Sequence, residues 1–296
     1  MLNSAEESQE DAAKRPTVVF VHGTPWSSDV FFPLANAILA HRRYRVLLYD
    51  LPGYGRSQQY NGKAKSSSKF PGDTSVKTQA IALASLLEHL KLDVKDGRRA
   101  PAVIAHDIAG TIALRAHLIH GCEFESLLLM DTNTVLPWGD GFYKLVRSKP
   151  DTFLELPANI FEATVRAVIQ SAVFDPKILL CGWEDTLAMS WVRTPSDSDA
   201  MANEKQRSFV RQIAQANDQD VAEMLDQSMY EKVRCDVKIL WGESDQWIPR
   251  EKMDRLAGML KHQLKGLVAI PNAGHLIMID QPERVAVEVF AWLSEQ

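Results

Sequence analysis

The sequence predicts an α/β fold: a doubly wound, mostly parallel sheet with a helical cap inserted into it. Three observations carry that reading. Six short runs, at residues 17–21, 45–49, 102–105, 126–130, 237–241 and 266–270, are almost continuously apolar rather than alternating. That is the pattern of strands covered on both faces. Helical patterns separate most of them, at 74–90, 109–120 and 282–294, as right-handed strand–helix–strand crossovers require. Between 133 and 230 the rhythm stops, and roughly 100 residues pass without a strand pattern, too long a stretch for structureless chain in a compact domain.

Taken in order, residues 1–16 form a polar, acidic tail. Residues 17–132 and 231–296 carry the strands and make the core. Residues 133–230 are helical in pattern and rich in aromatics, including Trp138, Tyr143, Phe161, Trp191 and Phe209, and read as the cap. The polar stretch 194–203 is a loop within it. The stretch 58–73, with Lys63 and Lys65, is a second polar loop, expected to be mobile.

Composition excludes several classes. The chain has 296 residues, 33 basic and 38 acidic, for a net charge of −5. A nucleic-acid binder would need a basic stripe, which this balance does not supply. With 46% hydrophobic residues the chain has enough apolar surface to fold. No apolar run is long enough to span a bilayer, and the N-terminus lacks a signal peptide's apolar stretch. Cys122, Cys181 and Cys235 are too few and scattered for a disulfide framework, which points to a cytoplasmic protein. The expected partner is a small molecule, with neither nucleic acid nor membrane, and the expected state is a monomer or homodimer. No cofactor or metal is implied: there is no phosphate loop, dinucleotide fingerprint or metal cluster. His117 and His120 lie three apart but lack a third ligand.

Chemistry concentrates where strands end. His22-Gly23-Thr24-Pro25 follows the first strand, Ala105-His106-Asp107-Ile108-Ala109-Gly110 the third, and Gly274-His275 the last. In open α/β sheets ligands bind at the carboxyl ends of the strands, so the three can meet. Small residues stand two before Asp107 and two and three after it. These are the sterics of a nucleophile elbow, a strand-to-helix turn that exposes its central side chain. The plain alternative is that Asp107 only caps the following helix. Asp245 follows the fifth strand, 30 residues before His275.

Together these features resemble the α/β-hydrolase superfamily, whose order is nucleophile, acid, histidine. The segment Tyr49-Asp50-Leu51-Pro52-Gly53-Tyr54-Gly55-Arg56-Ser57 adds to the resemblance. An Asp nucleophile with His-Gly-x-Pro is similar to soluble epoxide hydrolases and to haloalkane and haloacetate dehalogenases. The resemblance implies that Asp107 attacks an sp³ carbon to form an alkyl-enzyme ester. It implies that His275 activates the water that hydrolyses the ester, and that Asp245 orients His275, with Asp131 in reserve for that role. The oxyanion donors would be the backbone N–H groups of Thr24 and Ile108. The substrate-binding candidates are Tyr143, Trp26, Trp138 and His106. Tyr143 sits in surroundings similar to those of the first cap tyrosine of soluble epoxide hydrolases, which favours an epoxide over a halide. Two departures stand out. Ile108 replaces the Trp or Arg found after the nucleophile in many relatives. Only 16 residues precede the first strand, so the leading β-hairpin is expected to be missing or the gene model shortened, leaving six strands. Asp107 as a base in an ester or lactone hydrolase, a lyase or an isomerase, and a ligand-binding module without catalysis, remain the alternatives.

Overall fold

The structure is a computed structural model that describes residues 15–58, 70–94 and 99–295. Most of the predicted polar tail and of the 58–73 loop lies outside the described residues.

Strand β1 (Thr17–Val21) leads through a short 3₁₀ turn into helix α1 (Phe32–Ala40) and strand β2 (Arg45–Leu48). Helix α2 (Val76–His89), strand β3 (Ala102–His106), helix α3 (Ile108–Leu118) and strand β4 (Ser126–Met130) follow. Then come helices only: α4 (Gly141–Ser148), α5 (Pro150–Leu154), α6 (Ala158–Ser171), α7 (Trp183–Ala188), α8 (Asp199–Ala214) and α9 (Gln219–Asp226). Strand β5 (Asp236–Gly242), helix α10 (Arg250–Leu260), strand β6 (Leu264–Ile270) and helices α11 (Ile277–Asp280) and α12 (Pro282–Ser294) complete the chain.

The six strands form one sheet in the order β2-β1-β3-β4-β5-β6, with every neighbouring pair parallel. The apolar runs explain most of this. β1, β3 and β4 are buried at every residue, so Val, Ile and Leu on both strand faces meet helices. The two edge strands differ from the sequence expectation. β2 and β6 are only partly buried, because one long side of each faces no strand.

The strand order reverses between β1 and β3: β2 lies to one side of β1 and β3 to the other. Loops leaving the carboxyl ends there diverge and open a crevice. The helices between β4 and β5 roof it. Trp191 donates its indole N–H to the Pro25 carbonyl at 2.7 Å, tying the insertion to the loop after β1. Arg211 on α8 donates to the carbonyls of Pro71 and Gln58, both at 3.1 Å. Gln215 accepts from the Thr74 N–H at 2.7 Å and donates to the Gly72 carbonyl at 3.0 Å. These bonds seat α8 on the loop that precedes α2, over the crevice.

None of the described helices is long and apolar enough to cross a membrane. The three cysteines are free thiols. His117 is structural: its Nε2 accepts from the Arg234 N–H at 2.9 Å, and its Nδ1 meets the Cys122 carbonyl.

Candidate active site

Asp107 sits between β3 and α3 with φ of 54° and ψ of −125°. A non-glycine residue rarely adopts positive φ, and such a conformation costs on the order of 1–3 kcal/mol unless its surroundings hold it. Here they do. Its N–H donates to the Met130 carbonyl at 3.0 Å. Its carbonyl accepts from Gly110 N–H at 3.1 Å, Asn133 N–H at 3.0 Å and the Thr132 hydroxyl at 3.2 Å. Asp107 occupies the N-cap position of α3, and its side chain makes no capping hydrogen bond of normal geometry there.

Close packing demands the small residues seen in the sequence. A Cβ on Gly110 would lie 1.8 Å from Thr132 Oγ1, and one on Gly23 would lie 2.5 Å from the Cβ of Asp107. Gly23 therefore lets the loop after β1 press its backbone against the Asp107 side chain. The result is a bond from the Thr24 N–H to Asp107 Oδ2 at 3.0 Å. The Ile108 N–H reaches the same carboxylate. Oδ2 is thus held by the Thr24 backbone. The other, Oδ1, lies 3.9 Å from His275 Nε2.

His275 Nδ1 meets Asp245 Oδ2 at 2.9 Å. The second oxygen of Asp245 accepts from the N–H groups of Trp247 and Ile248 at 2.7 and 3.0 Å. With Nδ1 donating to a carboxylate, the unpartnered Nε2 is the imidazole's basic nitrogen. Asp131, the reserve acid, lies apart from His275 in its bonding. Its Oδ1 accepts from the Gly242 N–H at 2.7 Å and its Oδ2 has no partner.

Burial sets the charge states. It pushes Asp107 up to about 6, against the pull of His275 and the Thr24 and Ile108 N–H groups. Burial opposes a charged His275, but the adjoining Asp245 carboxylate, then Asp107, more than offset it and raise its proton affinity. Burial and the Asp245 charge drive Asp131 well above the carboxylate range. Burial and neighbouring His275 drive His106 well below its usual value.

A cavity of about 600 Å³, counting its mouth, opens above Asp107. Thr24, Tyr54 and Ile108 line its floor, and Asn133, Trp138, Tyr143, Arg147 and Gln212 come from the segment between β4 and β5. The Tyr143 hydroxyl is buried, with Thr24 beside it, and makes no hydrogen bond of normal geometry among the described residues. Asp107's charge contributes to raising Tyr143 well above the normal tyrosine range, although burial is the larger cause.

The remaining candidates fall elsewhere. Trp138 lines the cavity, but its indole N–H is committed to the Asn133 carbonyl at 2.9 Å. Trp26 stands behind the wall, its ring stacked 5.8 Å from Trp247. His106 lies under the site, its Nε2 2.8 Å from the His275 carbonyl, and it steadies His275 rather than lining the cavity. Tyr230, at the edge of the insertion, donates to the Thr134 carbonyl and does not line the cavity.

Sequence reading missed Trp247, Tyr54 and Gln212. Trp247 stacks on the His275 ring at 4.6 Å and forms part of the wall. Its position two residues after Asp245 was the available signal. Tyr54 was visible in the Leu-Pro-Gly-Tyr-Gly turn, but as part of a turn rather than as a wall. Gln212 carries no local motif.

The chain matches the model of the alpha/beta hydrolase family over residues 18–289. An alpha/beta hydrolase fold protein from Burkholderia ambifaria is 32% identical to it, with a TM-score of 0.78 over 93% of this chain and 90% of that one. A thermophilic esterase from Thermogutta terrifontis, solved with malate, is 20% identical, with a TM-score of 0.66 over 95% of this chain and 90% of that one. An esterase from Exiguobacterium antarcticum is 17% identical, with a TM-score of 0.68 over 94% and 92%. The two esterases speak to the fold alone. No curated protein matches the chain in sequence. The chain belongs to the alpha/beta hydrolase family.

Proposed function

We propose that the chain is a hydrolase that opens an epoxide on a largely apolar small molecule, with Asp107 as nucleophile. The observation that carries this is the division of labour between the two Asp107 oxygens. Oδ2 accepts from the Thr24 backbone N–H, where negative charge can accumulate, while Oδ1 lies 3.9 Å from His275 Nε2.

In the first step Asp107 Oδ1 attacks a ring carbon and the carbon–oxygen bond of the epoxide breaks. The leaving oxygen takes the proton of the Tyr143 hydroxyl, which is buried, unpartnered and in the same cavity. In the second step His275 Nε2 removes a proton from water and the hydroxide attacks Cγ of Asp107. The charge develops on Oδ2, against the Thr24 and Ile108 N–H groups. The intermediate collapses by breaking the bond from Cγ to Oδ1, which leaves in the diol; the diol oxygen takes the proton from His275, and Asp107, left as the acid, releases its proton to solvent. The proton on Tyr143 is restored from solvent.

A halide-displacing reading has less support. The cavity's two indole N–H groups are already committed, Trp138 to Asn133 and Trp247 to the Ser171 hydroxyl at 3.2 Å. A base role for Asp107 gains something from its elevated proton affinity, about 6. Intact-mass measurement of His275→Gln mixed with an epoxide separates these readings. The nucleophile reading expects a protein heavier by the epoxide's full mass. A halide reading expects an adduct only with alkyl halides, and a base reading expects none.

A further inference from the structure

Gln212 lies on α8, almost fully buried at 3% exposure, and lines the cavity above Asp107. Its Oε1 accepts from the Thr24 hydroxyl at 2.5 Å. Its Nε2 has no hydrogen-bond partner. The orientation is fixed from outside: neighbours Arg211 and Gln215 anchor α8 to Gln58, Gly72, Pro71 and Thr74. A buried amide donor without an acceptor carries an uncompensated desolvation cost. Such a group persists in a binding wall when a ligand supplies the missing acceptor.

We propose that Gln212 Nε2 is a specificity-determining donor for a second substrate oxygen, distinct from the one Tyr143 serves. This rests on the cavity being the substrate site of the hydrolase proposed above. The chemistry narrows the substrate class. An amide N–H does not give up its proton, so Gln212 orients and does not act as the acid. It is neutral, and the nearest cation in the wall, Arg147, is already paired with Asp218 at 2.8 Å. The acceptor is therefore a neutral oxygen such as a ketone, ester, amide or ether. A large share of the wall, including Val76, Ile108, Trp138, Trp247 and Ile248, is apolar. The substrate is an apolar epoxide that bears a carbonyl or ether oxygen, rather than a plain hydrocarbon epoxide or an anionic acid.

Ligand binding tests this without turnover. Trp247, in the wall, reports occupancy by fluorescence. The probes are benzylacetone and butylbenzene, matched in shape and differing by one carbonyl oxygen. Tyr143→Phe is the common background, so that Tyr143 cannot serve the ketone. Gln212→Met and Gln212→Leu both remove the amide with little change of bulk. The affinity ratio of ketone to hydrocarbon falls about tenfold in both variants if Gln212 binds the oxygen, the size of one hydrogen bond. An unchanged ratio in both variants overturns the proposal. Since no chemistry is required, failure here is a separate result from failure of Asp107 as a nucleophile.

Discussion

The floor and the roof of the cavity are built on opposite principles. In the floor, the Asp107 backbone and its Oδ2 are bonded to neighbours, and backbone approaches so closely that Gly23 and Gly110 admit no Cβ. In the roof, Tyr143 and Gln212 present buried polar atoms with no protein partner. The floor is over-determined because it must hold a strained carboxylate in one place. On the proposed function, the partners of the roof arrive with the substrate. The difference teaches where reaction and selectivity would reside on the proposed function: the floor would supply the bond-making, and the roof the proton and the recognition.

That contrast can be broken, most severely at the floor. Asp107→Ala removes the nucleophile and should lower kcat/KM by at least about 10⁴, the scale seen when a covalent residue is deleted. Steady-state assay on an epoxide panel measures it, and residual activity within tenfold of wild type would break the account. At the roof, Tyr143→Phe should slow the alkylation step by about 10²–10³ while leaving hydrolysis of the ester within a few-fold, since only the first step needs its proton. Single-turnover quench kinetics separate the two. Equal slowing of both steps would place Tyr143 in the packing rather than the chemistry.

The contrast sharpens in stability. Gly110→Ala forces a methyl into space held by Thr132 Oγ1 and should destabilise the fold by about 1–3 kcal/mol, read as a lowered Tm. A polar-to-apolar change in the roof such as Gln212→Met should cost far less, because it removes an unsatisfied donor along with one bond to Thr24.

The smallest effect is on pH. Asp107 must be ionised to attack, and its affinity for protons is raised to about 6, so alkylation should decline as pH falls through about 6. His275 must be neutral for hydrolysis, and Asp107's charge is one of the groups that raise it. Ester formation removes that charge, so the acid limb of hydrolysis should lie below the value His275 has in the free enzyme. Stopped-flow rates of each step across pH 4–8 check both limbs.

How much of this was legible in the sequence follows the same division. The floor was readable because its constraint is local. Ala105, Ala109 and Gly110 around Asp107 record the crowding at one turn, and Gly23 beside Thr24 records the approach from β1. The parallel sheet was readable because double-sided burial leaves continuous apolar runs, although burial of the edges β2 and β6 was overestimated for lack of strand order. The roof was barely readable. Gln212 reaches Thr24 across 188 positions, and nothing in its own neighbourhood marks it as a wall residue. Tyr143 was found through a resemblance rather than a pattern. Trp26 and His106 were attractive as residue types beside motifs, yet both support the site from behind, Trp26 through Trp247 and His106 through the His275 backbone.

The central claim is that Asp107 forms a bond to substrate carbon and is itself the site of hydrolysis. Single turnover in heavy-oxygen water, with enzyme in excess over an epoxide, tests it most directly. Peptide mass analysis should find the label on the Asp107 carboxylate, and the first diol released should carry the unlabelled Oδ1. A labelled diol with an unlabelled Asp107 would mean that water attacks the substrate itself, and would contradict the account.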